Sequence, residues 1–174
     1  MSKFFILCLF TVIVHSQSYS QKGNASIVAG PLISFPLGKF GHESYYKTGL
    51  GVEATGQYNI GERSSLIIQS GLSGFGVKNT YLSIAENLTL LTLKGGYKYE
   101  LSNSGFFLNG LVGTDIDVSD GFTTISFTLG AGKRFPIKKV YFIDAGLDFI
   151  DGDTERRLNF KLAYSIWQRP KLKL

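Results

Sequence analysis

The sequence predicts an all-β chain, an eight-stranded antiparallel up-and-down β-barrel. Three observations predict it. First, apolar and polar residues alternate with a period of two after Ser20, with turn residues between the runs and no sustained helical period. Second, phenylalanine (14), tyrosine (9) and glycine (21) are abundant and proline (4) is scarce, which favours strands over helices. Third, Val140–Trp167 reads as a hairpin with one wholly apolar face. Turned at Gly152-Asp153, it opposes Leu147 to Leu158, Ala145 to Phe160, Ile143 to Leu162 and Tyr141 to Tyr164. The other face opposes Asp148 to Arg157, Gly146 to Asn159 and Asp144 to Lys161. Directly opposed side chains interact, and a slip of one residue would exchange the faces.

The chain opens with Lys3 and the apolar run Phe4–Val14, broken only by Thr11. That run is shorter than the ~20 residues a membrane helix needs and has the length of a secretory signal core. Ser18 and Ser20 are the small residues a signal peptidase reads, so cleavage is expected after Ser20. Residues 1–20 are therefore expected to be a signal peptide and 21–174 one barrel domain. Cys8 is not expected to carry lipid, because Leu7 is bulky and little apolar sequence precedes it. With Cys8 gone the mature chain has no cysteine, so an exported domain would be held by a closed sheet or a bilayer rather than disulfides.

The first strand is expected at Ser26–Leu37, with Ile27, Ala29, Ile33 and Phe35 on one face and an irregularity at Pro31. The second, Gly49–Ile60, alternates Leu50, Val52, Ala54, Tyr58 and Ile60 with Gly51, Glu53, Thr55, Gln57 and Asn59. The third, Ser65–Phe75, sets Leu66, Ile68 and Leu72 against Gln69, Gly71 and Ser73. The fourth, Leu88–Tyr99, sets Leu91, Leu93, Tyr97 and Tyr99 against Thr92, Lys94 and Lys98; its phase breaks at Leu90-Leu91, which predicts a bulge or late start. The fifth, Phe106–Val118, puts Phe106, Leu108, Val112, Ile116 and Val118 outside and Asn109, Asp115 and Asp117 inside. The sixth, Thr124–Phe135, sets Ile125, Phe127, Leu129 and Ala131 against Thr124, Ser126, Thr128 and Gly130. The hairpin supplies the last two, and an even number closes with both termini at one end.

Alternation alone fits a soluble barrel or a membrane barrel. The connections Gly61–Ser64, Glu100–Ser104 and Pro136–Lys139 are short. Gly38–Thr48, Gly76–Glu86 and, less clearly, Ser119–Thr123 and Ile150–Arg156 are longer or more polar, the asymmetry of outer-membrane barrels. The short-turn end collects Tyr58, Tyr97, Tyr99, Phe106, Phe135, Tyr141, Tyr164 and Trp167, an aromatic girdle where rings meet headgroups. The other end collects Phe35, Phe40, Phe75, Tyr81, Phe122, Phe127 and Phe149. The polar face would then line a lumen only wide enough for side chains. Its expected filling is an ion-pair network of Glu53, Asp115, Asp117, Asp144 and Asp148 against Lys94, Lys98, Arg157 and Lys161, which leaves no diffusion pore. Backbone groups left unpaired in lipid would be costly, so the sheet must close.

In these features the chain resembles the small eight-stranded outer-membrane barrels, the class that includes the OmpA and OmpX transmembrane domains. The resemblance covers about Ala25–Arg169. It rests on Gly30 with Ser34-Phe35-Pro36-Leu37-Gly38-Lys39-Phe40, on Thr48-Gly49-Leu50-Gly51-Val52-Glu53, and on the alternating last strand Leu158–Trp167. It implies a transmembrane barrel in the outer membrane of a Gram-negative cell, with outer-membrane lipids as partners. Members often end on an aromatic residue of the last strand, whereas Gln168–Leu174 extends past Trp167 here. The resemblance is to the barrel without an added periplasmic domain, so it implies no peptidoglycan binding.

Other signals are weighed against plainer accounts. The charge, 18 basic against 13 acidic residues for a net +5 (+4 without Lys3), is scattered and predicts no nucleic-acid partner. His42-Glu43-Ser44 has the residue types of a lipid-modifying hydrolase triad, but a loop fixes no geometry, and a solvated loop is the better account. Asp148, Asp151, Asp153 and Glu155 could bind calcium, but their spacing is not an EF-hand and Gly-Asp is ordinary turn chemistry. Gly130-Ala131-Gly132-Lys133 lacks the upstream glycine and following hydroxyl of a phosphate loop. Lys133 and Arg134 are expected at the periplasmic rim, reaching headgroups. Asn24-Ala25-Ser26 and Asn87-Leu88-Thr89 fit the glycosylation sequon, a very weak signal with no meaning outside a eukaryotic secretory route. No catalytic residue, cofactor or metal is expected. The expected role is non-enzymatic, structural, adhesive or accessory, with another envelope protein or a surface ligand met through the long loops. The alternatives are a secreted lipocalin-like barrel with an apolar ligand and, behind it, a lipid-modifying barrel enzyme.

Overall fold

In the computed structural model, residues 24–38, 44–81, 86–101, 105–137, 141–153 and 155–168 are described. Residues 1–23, where the signal peptide is expected, Phe40, His42 and Glu43, and the residues after Gln168 lie outside them. Eight strands follow in order: β1 (Ala25–Gly38), β2 (Gly49–Asn59), β3 (Ser64–Phe75), β4 (Leu88–Glu100), β5 (Phe106–Asp117), β6 (Thr123–Pro136), β7 (Phe142–Gly152) and β8 (Arg156–Gln168). Each pairs antiparallel with the next, and β1 closes on β8, so no sheet edge is left open.

The barrel is inside-out relative to a soluble one. Leu50, Ile68 and Leu129 on the outer wall are about 70% exposed (69%, 73% and 70%). Lys94, Asp144 and Asp148 in the lumen are 3%, 4% and 1% exposed. A soluble barrel would bury the first set and wet the second. Leu147 and Leu162 face out, so no apolar cavity of the lipocalin kind exists among the described residues, and that alternative falls.

The last hairpin keeps the expected faces but not the expected partners. Leu147 opposes Phe160, Asp148 opposes Asn159, Lys161 opposes Gly146 and Asp144 opposes Ala163. The final rung joins Asp151 to Arg156, and the Gly152 N–H donates to the Glu155 carbonyl at 3.2 Å, so the turn is two residues longer than Gly152-Asp153 alone. A shift of two preserves every side chain's face, so alternation cannot distinguish the two registers.

The irregularities also move. Pairing of β3 with β4 runs unbroken from Phe75↔Leu88 to Ser64↔Tyr99, so there is no bulge at Leu90-Leu91. Pro31 sits opposite Val52 without a shift, while pairing with β8 passes from Ala29↔Tyr164 to Leu32↔Lys161. At that seam Gly30 is required: a Cβ there would lie 1.9 Å from the Leu162 carbonyl oxygen. The register shifts lie instead at Ile27/Val28 and Pro36/Gly38. The first leaves Ile166 as an extra residue on β8 and re-aims Trp167, which alternation would have turned inward, onto the outer wall beside Ile27.

At the short-turn end, Tyr58, Tyr99, Phe106, Phe135, Tyr141, Tyr164 and Trp167 are exposed on the outer face. Tyr97 is half-buried and donates to Ser64 Oγ at 2.6 Å. Tyr141 and Tyr164 stack with centroids 6.0 Å apart. At the other end Phe35, Phe122, Phe127 and Phe149 face out, but Phe75 is only 2% exposed and turns into the barrel. The loop-length alternation holds for residues 39–48 and 76–87 and fails for 153–155, because β7 and β8 run further than their polar ends suggest.

Candidate functional site

Inward side chains of β2 to β8 converge on one column of charge in three tiers. Nearest the short turns, Asp144 on β7 takes Arg134 Nε and Nη2 at 2.8 and 2.9 Å and Lys98 Nζ at 2.7 Å. Arg134 also reaches Glu100 at 3.0 Å and Gln57 at 2.9 Å, spanning from β6 to β4 and β2. In the middle, Lys161 bridges Glu53 at 3.2 Å and Asp148 at 2.6 Å. Gln69 Nε2 donates to Glu53 at 2.6 Å. Toward the loops, Arg157 pairs with Asp115, which also accepts from Thr92 at 2.7 Å, while Lys94 lies 3.8 Å away and donates to Thr128 at 3.0 Å.

The structure thus brings together Glu53, Lys94, Lys98, Asp115, Asp144, Asp148, Arg157 and Lys161 inside the barrel. Asp144 and Lys161 are in different tiers, which corrects the cross-strand pair expected between them; the two-residue register shift is the reason. Asp148 likewise meets Lys161 rather than Arg157. Asp117, expected in the network, accepts the Ser119 backbone N–H at 2.9 Å at the loop end.

Arg134 is the principal correction. It was expected at the rim beside Lys133, yet neighbouring strand residues point to opposite faces. Lys133 does face out, with Nζ 4.7 and 5.4 Å from the Phe106 and Phe135 centroids. Arg134 points in and stacks on Phe142 at 3.7 Å. Its partner Glu100 was missed with it. The signal was in the sequence: Arg134 shares the phase of Thr124, Ser126, Thr128 and Gly130. Aromatic residues were missed as lumen filling too. Phe107 lies 3.7 Å beneath Lys98, and Phe75 lies 5.9 Å from Arg157. Gly132 leaves space for this packing, since a Cβ there would lie 2.4 Å from Phe107 Cζ.

The filled lumen contains a void of about 20 Å³ among Glu53, Lys98, Asp144 and Lys161, the room of roughly one water. Nothing wider is needed to explain the lining, and such a void passes no solute.

Above the lumen, the β1–β2 and β3–β4 loops are joined. Tyr46 bridges Val77, Lys47 N–H donates to the Gly76 carbonyl at 2.7 Å, and Lys78 N–H donates to the Tyr45 carbonyl at 2.9 Å. Tyr45 and Tyr81 meet edge to face at 4.8 Å, with Tyr45 half exposed. Ser44, the one described member of the His42-Glu43-Ser44 trio, donates to Glu155 in the β7–β8 loop. Among the described residues no group of three or more His, Cys, Asp or Glu side chains could hold a metal ion; Asp151 instead pairs with Arg156 at 3.1 Å. Gly130–Lys133 lie within β6 and form no phosphate loop.

Burial pushes the Glu155 carboxyl above the ordinary carboxylate range, against the Ser44 hydroxyl and the Arg157 and Lys78 charges, which pull it down. The docked loops therefore favour protonated Glu155. Their stabilisation from this group is complete below the ordinary carboxylate range and is lost as pH rises through the raised value. Protection factors of the amides at residues 44–48, which correct exchange for its intrinsic pH dependence, are expected to rise on acidification through that window. Glu155→Gln should remove the dependence, and an unchanged profile in that variant would exclude the assignment.

No protein-family model matches the chain, and no curated protein matches it in sequence. Solved structures do match in fold. The attachment invasion locus protein Ail of Yersinia pestis is similar at TM-score 0.60 and 18% identity, over 86% of this chain and 100% of that one. Neisserial surface protein A is similar at TM-score 0.59 and 10% identity, over 83% and 98%. The outer membrane protein AlkL, solved in lipid bilayers, is similar at TM-score 0.52 and 10% identity, over 91% and 96%. The closed eight-stranded sheet, the oily exterior and these likenesses agree: the chain has the fold of the small eight-stranded outer-membrane β-barrels.

Proposed function

We propose that the chain is an integral outer-membrane barrel that carries out no reaction and acts as an adhesive or accessory surface protein through its loops. The observation that carries this reading is the loop platform standing over a sealed lumen. Two loops are tied by a backbone bridge beyond the last β2–β3 pair and carry the edge-to-face Tyr45–Tyr81 contact, with Tyr45 exposed. Exposed aromatic side chains are frequent anchors of recognition surfaces. The likeness to an attachment protein and a surface protein supports the reading at the level of fold. In this reading the tyrosines, Trp167 and Lys133 at the short-turn end are the headgroup girdle, and the lumen ion pairs plug the barrel and fix strand register.

Cells displaying the chain are expected to bind surfaces or matrix more than cells displaying nothing. Joint Tyr45→Ser and Tyr81→Ser substitution should lower that binding severalfold with surface display unchanged. Equal adhesion with and without the chain would defeat the proposal. Two further outcomes separate the rivals. Planar-bilayer conductance should match bare lipid, since the lumen is filled. Ser44→Ala should leave the acyl composition of lipid A unaltered; a change would restore the enzyme reading.

A further inference from the structure

The outer wall is not uniformly convex. Two rungs cross β5 to β8: Phe106↔Lys133↔Ala145↔Leu162 and Leu108↔Ala131↔Leu147↔Phe160. The floor at Ala131 and Ala145 is too low to fill the space between the larger residues, and a groove of about 750 Å³ results. It is almost wholly apolar, and it lies toward the short-turn end. Lys133 is the one charged side chain in these two rungs, and its ammonium stands between the Phe106 and Phe135 rings at the level of the aromatic girdle.

We infer that this groove seats one acyl chain of an anionic glycerophospholipid from the periplasmic leaflet, with its phosphate on Lys133. This rests on the membrane reading above. The groove faces the bilayer, so an alkyl chain is the neighbour that physics supplies. The girdle-level cation then selects the headgroup. A second copy of the chain fits less well. A two-fold contact across this face would bring Lys133 toward its own counterpart, and no carboxylate in either rung would offset the repulsion.

The test is native mass spectrometry of the full refolded chain, with phosphatidylglycerol and phosphatidylcholine of identical acyl chains as probes. The wild type should retain phosphatidylglycerol about fivefold better, the effect of one lysine at an anionic headgroup. Lys133→Gln should equalise the two lipids. Ala145→Phe, which raises the floor, should reduce retention of both; if that variant does not fold, Ala131→Leu probes the same floor. Equal retention by the wild type, or a preference that survives Lys133→Gln, would overturn the inference. So would a dimer that Ala145→Phe dissolves, because the occupant would then be a second copy. Loss of heat-modifiable gel migration in the wild type would instead defeat the membrane reading itself, so the two failures are distinct.

Discussion

Asp144→Ala is expected to cost the barrel about 3–5 kcal/mol, because it strands the buried Lys98 ammonium. Asp144 is 4% exposed and holds Lys98 at 2.7 Å and both Nε and Nη2 of Arg134. Without it, Arg134 keeps Glu100, while Lys98 is left against the Phe107 ring, a weak substitute for a carboxylate. The same pair intact is nearly neutral, since desolvation offsets most of its attraction. The loss thus comes from orphaning a charge. That gives a second expectation: Lys98→Met added to Asp144→Ala should recover a substantial part of the loss. Urea midpoints for vesicle-embedded protein measure both. A loss below about 1 kcal/mol, the range of an exposed pair, would mean that water reaches this tier.

Leu129→Arg is expected to cost about 2–4 kcal/mol, the range for a cation at the bilayer midplane on a barrel's lipid face. Leu129 lies near the centre of β6 and is 70% exposed in the protein alone. On a soluble barrel, a charge at so exposed a site would shift stability by no more than about 0.5 kcal/mol either way. The two environments therefore predict different magnitudes for one substitution. Folding into vesicles at graded urea distinguishes them.

The fold was largely legible because a strand's side-chain period is two. Glu53, Lys94, Lys98, Asp115, Asp144, Asp148, Arg157 and Lys161 all share the inward phase of their strands, and all reach the lumen. What alternation cannot supply is position along the strand. Sliding β8 by two residues leaves its faces intact, so Lys161 was matched to Asp144 when it meets Glu53 and Asp148. Trp167 illustrates the converse. Its phase points inward, and only the extra residue Ile166 turns it out, a bulge without a sequence mark. Arg134 is legible by its own phase, and only its adjacency to Lys133 points the other way. Phe75, Phe107 and Phe142 show why a polar face need not be wholly polar: the lumen's cations lie against ring faces as well as carboxylates. The loop platform was not legible at all, since it depends on Tyr46 meeting Val77 across two loops with no periodic pattern.

Lipid outside and ions inside is the arrangement on which the barrel's membrane character depends, and two adjacent residues suffice to test it. Thr128 is 1% exposed and points into the lumen; Leu129 points out. The measurement is the collisional accessibility of a nitroxide label placed at each position in turn, in bilayers. At Leu129 the label should meet dissolved oxygen readily and a water-soluble nickel chelate hardly at all, while at Thr128 it should meet neither. Ready collision with the nickel chelate at Leu129 would place water on the outer wall and contradict the account.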